Sequence, residues 1–310
     1  MDFLRPATWE DALAAKAEHR DALPIQGGTD VMVEINFDVH RPPALLDLNR
    51  VTDLTTWDIA DGPAASRGDD PPHPPVDMRG WLRIGAGVPY VRLIKELGDK
   101  LPGLAQASRT VGSPQIRNRG SVGGNLGAAS PAGDSHPPLL AGDAVIEAQS
   151  AARGTRMIPA TEFYLGVKRN ALEDDELIRA FWTAPAPGPQ YFSKIGTRNA
   201  MVIAVCSFAI ALHPEERRVG TGVGSAAPTP RRATAAEEFL SAELDWEGRG
   251  PLSIATAQRF GELVKEAASP IDDVRGTADY RKHAISVMAR RTLTWAWSDF
   301  RDGTIRKEAS

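Results

Sequence analysis

Apolar positions recur at helical spacing near the start of the chain. In TWEDALAAKAEHRDA, Leu13 and Ala17 share a face, Thr8 stands where an N-cap belongs and Asp11 follows three residues later, so the spacing predicts a first helix. LPIQGG then reads as a short buried strand running into a turn at Gly27 and Gly28. Past the turn the period becomes two: Val31, Val33, Ile35 and Phe37 alternate with Met32, Glu34 and Asn36. By period this favours a strand, while Asp30 equally serves as a helix cap, and the pattern leaves both open. ALLDLNRV is a further strand, and WLRIGAGVPYVRLIKEL a strand that ends in the turn at 85–87 and feeds a helix carrying Val91, Ile94, Lys95 and Leu97. DAVIEAQS and ELIRAFWTA continue the strands, and QYFSKIGTRNAMVIAVCSFAIALH is a long apolar segment ahead of a glycine-rich hairpin candidate, RRVGTGVGSAAP.

From Thr234 the pattern turns helical. Thr234 and Glu237 stand at capping-box spacing, SIATAQRFGELVKEAA is amphipathic, and Tyr280, Ala284, Val287, Met288 and Trp295 form a helical stripe. A run of strands followed by a run of helices is an α+β signature, with a boundary between Ala180 and Gln190 in the Pro-rich AFWTAPAPGPQ. The stretch DGPAASRGDDPPHPPVDMRG has nothing to bury and predicts a surface loop or hairpin tip.

Composition narrows the function. With 310 residues, 42% hydrophobic and 25% charged, the chain has the make-up of a globular protein long enough for more than one core. A net charge of -4 argues against nucleic acid or an anionic membrane as the main partner. No apolar run reaches the length of a membrane span, and MDFLRPATWEDALAAK lacks a cationic region followed by a hydrophobic one, which predicts a cytoplasmic protein. The single Cys206 cannot hold an iron–sulfur cluster, and the six histidines are scattered, so no metal site is expected. Any electron transfer therefore needs an organic cofactor or a partner.

The most informative stretch is TVGSPQIRNRGSVGGNLGAASPAGDSHPPLLAGDA, dense in Gly, Ser, Ala and Asn between two structured segments. Small residues let a backbone approach a ligand closely, and Gly123 and Gly124 repeat the earlier pair at Gly27 and Gly28. The first pair fits neither a P-loop nor a dinucleotide fingerprint, since no Lys-Ser/Thr and no G-x-G-x-x-G follows. Two glycine turns can instead offer backbone N–H groups as anion nests to the two phosphates of a pyrophosphate. Thr29, Ser121 and Asn125 add hydroxyl and amide hydrogen bonds, while Asp30 and Asp134 suit ribose or ribityl hydroxyls and would repel phosphate.

QGGTD, QIRNRGSVGGNLGAASPAGD, FSKIGTRNAM and DDVRGTADYRKHA together resemble the FAD-binding medium subunit of the molybdenum hydroxylases, the group that includes carbon monoxide dehydrogenase and xanthine dehydrogenase. The resemblance runs in order over nearly the whole chain. It implies an FAD-binding domain of the two-lobed vanillyl-alcohol oxidase (PCMH) type over 1–183, and a C-terminal α+β domain with a small antiparallel sheet and helices over 184–310. It also implies that the segment after Gly28 is helical. Carried over by position, Gln26, Gly27, Gly28, Thr29 and Asp30, with Ser121, Val122, Gly123, Gly124 and Asn125, resemble the pyrophosphate contacts. Asp134 matches a carboxylate near the ribityl chain, Leu177 an apolar residue against the isoalloxazine, and Lys194 a basic residue near the flavin edge; read from the sequence alone, Lys194 is equally a solvated surface lysine.

The insertion before residue 80 has no cysteine, which implies FAD as the only cofactor, and His136 stands where relatives carry an uncharged residue. With no His, Cys or Tyr in the first glycine motif, the flavin is expected to be non-covalent. The resemblance implies an electron-transfer subunit in a hetero-oligomer with a molybdopterin-binding large subunit and a [2Fe–2S] small subunit, passing electrons through FAD to an external acceptor. The alternative is a stand-alone FAD-dependent oxidoreductase, for which Tyr191, Lys194 and His136 are the nearby acid–base candidates.

Overall fold

The computed structural model describes residues 1–61 and 78–303. The chain begins with β1 (Asp2–Leu4), α1 (Trp9–Glu18), β2 (Leu23–Ile25), α2 (Val31–Asn36), β3 (Ala44–Asp47) and β4 (Trp57–Ile59). It continues with β5 (Leu82–Gly85), α3 (Tyr90–Leu97), α4 (Pro102–Thr110), α5 (Pro114–Arg119), α6 (Val122–Ala128) and α7 (His136–Ala141). Next come β6 (Val145–Ser150), β7 (Gly154–Pro159), α8 (Ala160–Phe163), β8 (Tyr164–Gly166), β9 (Arg169–Asn170) and β10 (Leu177–Thr183). β11 (Gln190–Ile195), β12 (Cys206–His213), β13 (Arg218–Gly224), α9 (Thr234–Glu243), α10 (Ile254–Ala267) and α11 (Ala278–Asp302) complete it.

These elements fall into two compact units that interleave along the chain. The first holds 1–92, 113–129 and 144–184; the second holds 93–112, 130–143 and 185–310. Beside the short β8-β9 ladder, the described residues of the first unit form two larger sheets, one to each lobe. One is a parallel three-stranded sheet in the order β1-β3-β2, and the other an antiparallel five-stranded sheet in the order β4-β5-β10-β6-β7. Thr8 caps α1 as its position predicts, its Oγ1 accepting the Asp11 N–H at 3.1 Å.

In the second unit, β12 is the middle strand of an antiparallel sheet ordered β11-β12-β13. Its large residues Phe208, Ile210 and Leu212 join one core with Leu240 of α9, Phe260 and Val264 of α10, and Ile285, Leu293 and Trp297 of α11. Its small residues Ala209 and Ala211 pack with Ala107 and Ala141 in a second cluster. Burial on both faces explains why the segment reads as continuously apolar.

Several expectations are corrected. Residues 31–36 are helical, so the period-two strand reading fails there; α2 buries none of its residues, and its apolar pattern reports no core face. Glu237 is not a capping-box partner of Thr234, because α9 starts one residue earlier, with Ala233 at the N-cap and no side-chain cap bond. Glu237 instead accepts from Thr221 N (2.8 Å), Thr221 Oγ1 (2.6 Å) and Arg232 Nε (2.9 Å). The stripe on α11 is only partly right: Ala284 and Met288 are buried, while Tyr280 and Trp295 are 48% and 42% exposed. The expectation for the Pro-rich insertion falls on residues 62–77 and lies outside the described residues.

Candidate functional site

β2 ends where the Ile25 carbonyl accepts the Leu48 N–H at 2.9 Å, and the chain then turns through Gly27 and Gly28 into α2. Gly28 sits at φ +73°, in the left-handed region that a side chain disfavours. The carbonyls of Gly28 and Asp30 accept from Met32, Val33 and Glu34 and so begin the helix. The N–H groups of Gly27, Gly28, Thr29 and Asp30 have no partner among the described residues. A row of such amides on a half-buried loop is a nest for negative charge.

The second glycine pair lies against the first. A β-carbon on Gly27 would stand 2.8 Å from the Arg119 carbonyl carbon and 3.1 Å from Gly120 Cα, so only glycine lets these two backbones meet. Ser121 caps α6, its Oγ accepting the Gly124 N–H at 3.1 Å, and Asn125 N donates to Ser121 O. Ser121, Val122 and Gly123 are buried.

The turn at 85–87, read from sequence only as the end of a strand, proves to be part of the same assembly. Gln26 Nε2 reaches Gly87 O at 3.5 Å, and a β-carbon on Gly123 would stand 2.6 Å from Ala86 Cα. Its amides are all engaged: Gly85 with Thr56 O, Ala86 with Arg179 O and Gly87 with Leu54 O. This corrects the reason for glycine at 123, which faces the Ala86 backbone; the signal was present in Gly85 and Gly87. Leu177, the first residue of β10, is buried opposite Gln149.

Within the second unit, Lys194 of β11 keeps only 9% of its side chain exposed, which overturns its reading as a solvated surface lysine. Its Nζ donates to Asp134 Oδ2 at 2.5 Å and to Thr110 O at 3.3 Å, and Thr110 Oγ1 donates to Asp134 Oδ2 at 3.0 Å. Asp134 Oδ1 is buried and has no hydrogen-bond partner among the described residues. Burial raises the Asp134 pKa, and Lys194 and Thr110 pull it back only in part.

His136 opens α7 and is fully buried, with its ring hydrogen-bonded to the Ser130 backbone. Burial lowers its pKa to about 3, so the imidazole is neutral. The Tyr191 hydroxyl donates to Asp299. Tyr191, Lys194 and His136 are thus each engaged with different groups and do not form an acid–base pair. Burial pushes the Cys206 thiol up to about 12, and no His/Cys/Asp/Glu group among the described residues could hold a metal ion.

A sequence profile described as the FAD binding domain in molybdopterin dehydrogenase matches residues 1–64 and 76–182, and one described as the CO dehydrogenase flavoprotein C-terminal domain matches 191–296. The chain belongs to this flavoprotein family. It is similar to the putative xanthine dehydrogenase FAD-binding subunit of Escherichia coli (strain K12), 29% identical over 305 residues that cover 95% of both chains. It is also similar to caffeine dehydrogenase subunit beta of Pseudomonas sp. (strain CBB1), 30% identical over 250 residues, 77% of this chain and 78% of the relative. Among solved structures, the reconstituted CO dehydrogenase from Oligotropha carboxidovorans superposes with a TM-score of 0.81 at 25% identity, over 96% of this chain and 98% of that one. As a family member the chain is an FAD-binding medium subunit and a component of an oxidoreductase. Its two lobes and small C-terminal sheet are the architecture that the motifs imply. None of its described helices is long and apolar enough to cross a membrane.

Proposed function

We propose that this chain is the electron-transfer subunit of a molybdenum-containing dehydrogenase, taking electrons from a [2Fe–2S] small subunit and delivering them to an external acceptor, with substrate oxidised on a molybdopterin-binding large subunit. The single observation that carries this reading is the row of unpartnered amides at Gly27, Gly28, Thr29 and Asp30, braced by the backbone at 119–120. These donors suit a diphosphate with no cationic side chain in the loop, and so the bridge of FAD. FAD accepts one or two electrons, which lets such a subunit link single-electron donors to a two-electron acceptor.

The chain's residues divide the work of binding. Gln26 to Asp30 present the nest, with the Ser121 to Asn125 segment as its support. Asp134 Oδ1, a buried acceptor without a donor, suits a ribityl hydroxyl. Lys194, held by Asp134, supplies positive charge to the flavin edge, and Leu177 supplies an apolar contact to the ring. The FAD-binding domain is assigned to 1–183 and the C-terminal domain to 184–310. No reactive side chain lies in the first glycine motif, which favours non-covalent FAD.

Purification from the native host tests the proposal. Yellow protein that releases FAD on denaturation, and that accompanies a molybdenum subunit and an iron–sulfur subunit, is the expected result. Rapid reduction of the lone chain by small organic substrates would overturn it in favour of a stand-alone oxidoreductase.

A further inference from the structure

One side chain outside the glycine motifs holds the first loop in place. Asn49, just past β3, donates from Nδ2 to the Gln26 carbonyl at 2.9 Å and to Asp47 Oδ1 at 2.6 Å. Its Oδ1 accepts from Arg119 Nη2 at 3.2 Å. The orientation of the carboxamide is fixed by these neighbours, because two acceptors face the nitrogen and a donor faces the oxygen. Asp47 is buried at 7% exposure, and its Oδ1 also accepts the Asn49 N–H at 3.0 Å. Asn49 is therefore anchored to the sheet at one end and touches the loop with the other.

The Gln26 carbonyl and the Gly27 N–H belong to one planar trans peptide, in which C=O and N–H point in opposite directions. Fixing the oxygen fixes the hydrogen. We propose that Asn49 is a positioning residue for the nest: by holding the Gln26 carbonyl it aims the Gly27 amide, the first of the unpartnered donors, away from the protein and toward the diphosphate of a bound nucleotide. The inference rests on the diphosphate reading of the nest given above. Arg119 Nη2 steadies the carboxamide and also reaches the Gln26 carbonyl at 3.5 Å, a longer bond than that of Asn49, so the Asn49 side chain links β3, the 26–30 loop and the end of α5.

The test uses the full chain with Asn49→Leu, which keeps the branched shape and removes the side chain's polar contacts, and Asn49→Ala as a second variant should the first fold poorly. ADP is the probe, because it carries the diphosphate without the flavin. The expected result is ADP binding weakened about fivefold, the scale of one hydrogen bond, with only a small fall in melting temperature. In the ligand-free protein the Gly27 amide resonance, read with 15N-glycine labelling, should shift. An unmoved Gly27 resonance with unchanged ADP affinity in both variants overturns the proposal, as does a loss of ADP affinity matched by a lower melting temperature without a Gly27 shift. A shifted Gly27 resonance with unchanged ADP affinity overturns the diphosphate reading instead, as does failure of the unsubstituted chain to bind ADP.

Discussion

Two glycine-rich stretches of this molecule put the same residue to opposite uses. In β13, a β-carbon on Gly222 would stand 2.5 Å from Pro137 Cα and one on Gly220 3.0 Å from the Ala141 carbonyl carbon, so the strand is bare to let the α7 backbone lie against it. Gly220 and Gly222 stand opposite Ala211 and Ala209 in an antiparallel ladder with β12. At 26–30 the backbones also touch, Gly27 against Arg119, yet the amides of Gly27 to Asp30 lead nowhere within the described residues. Glycine density marks close approach of backbone in both places. Where the N–H groups go distinguishes a packing seam from a binding loop.

The largest effect is expected in the packing seam. Gly222→Val forces a side chain into the Pro137 backbone and should cost about 3 kcal/mol of stability, read by denaturant unfolding. A mild effect would mean that α7 is free to withdraw and that β13 is no seam. Lys194→Met tests whether packing alone governs that unit. Removing the cation leaves the buried Asp134 carboxylate unpaired, for a loss of about 3 kcal/mol at neutral pH. The loss should shrink in acid, because the Asp134 pKa is already raised and the carboxyl then takes up a proton; a penalty equal at pH 7.5 and 5.5 would refute the pairing.

A pH titration gives the next effect. His136 is neutral when folded, with its pKa near 3, and protonates below its ordinary value once unfolded. The stability it contributes is full above the unfolded pKa of about 6.5 and falls as pH drops from there toward 3, by about 2 kcal/mol at pH 5. His213, also lowered by burial, adds in the same direction. His136→Gln should flatten the slope of stability against pH between 7 and 5, and an unchanged slope would remove His136 as its source. The smallest effect belongs to the binding loop: Gly28→Ala, at φ +73°, should cost about 1 kcal/mol while weakening FAD retention. Stability lost with FAD retention intact would reduce that loop to an ordinary turn.

Much of this was legible in the sequence, for identifiable reasons. Thr8 and Asp11 mark the start of α1 because a cap is local chemistry, and the glycine pairs mark the loops because close approach demands glycine at any distance along the chain. What failed depended on contacts that no local pattern encodes. Val33 of α2 and Phe37 just past it are both exposed, so the period of two reports no buried face. Glu237 left a capping-box position for Thr221 and Arg232, a choice visible only once β13 lies beside α9. The pairing of Asp134 with Lys194 joins residues sixty positions apart and draws a lysine that reads as a surface residue largely out of solvent. Asn49 gave no signal at all, since a single asparagine after a strand reads as a turn residue.

Hydrogen exchange followed by mass spectrometry, with and without FAD, tests the central contrast most directly. The account predicts that amides within 24–36 exchange fast in the flavin-free chain and become protected when FAD binds, while those of 218–224 are protected in both states. Unchanged exchange across 24–36 on FAD binding would contradict it.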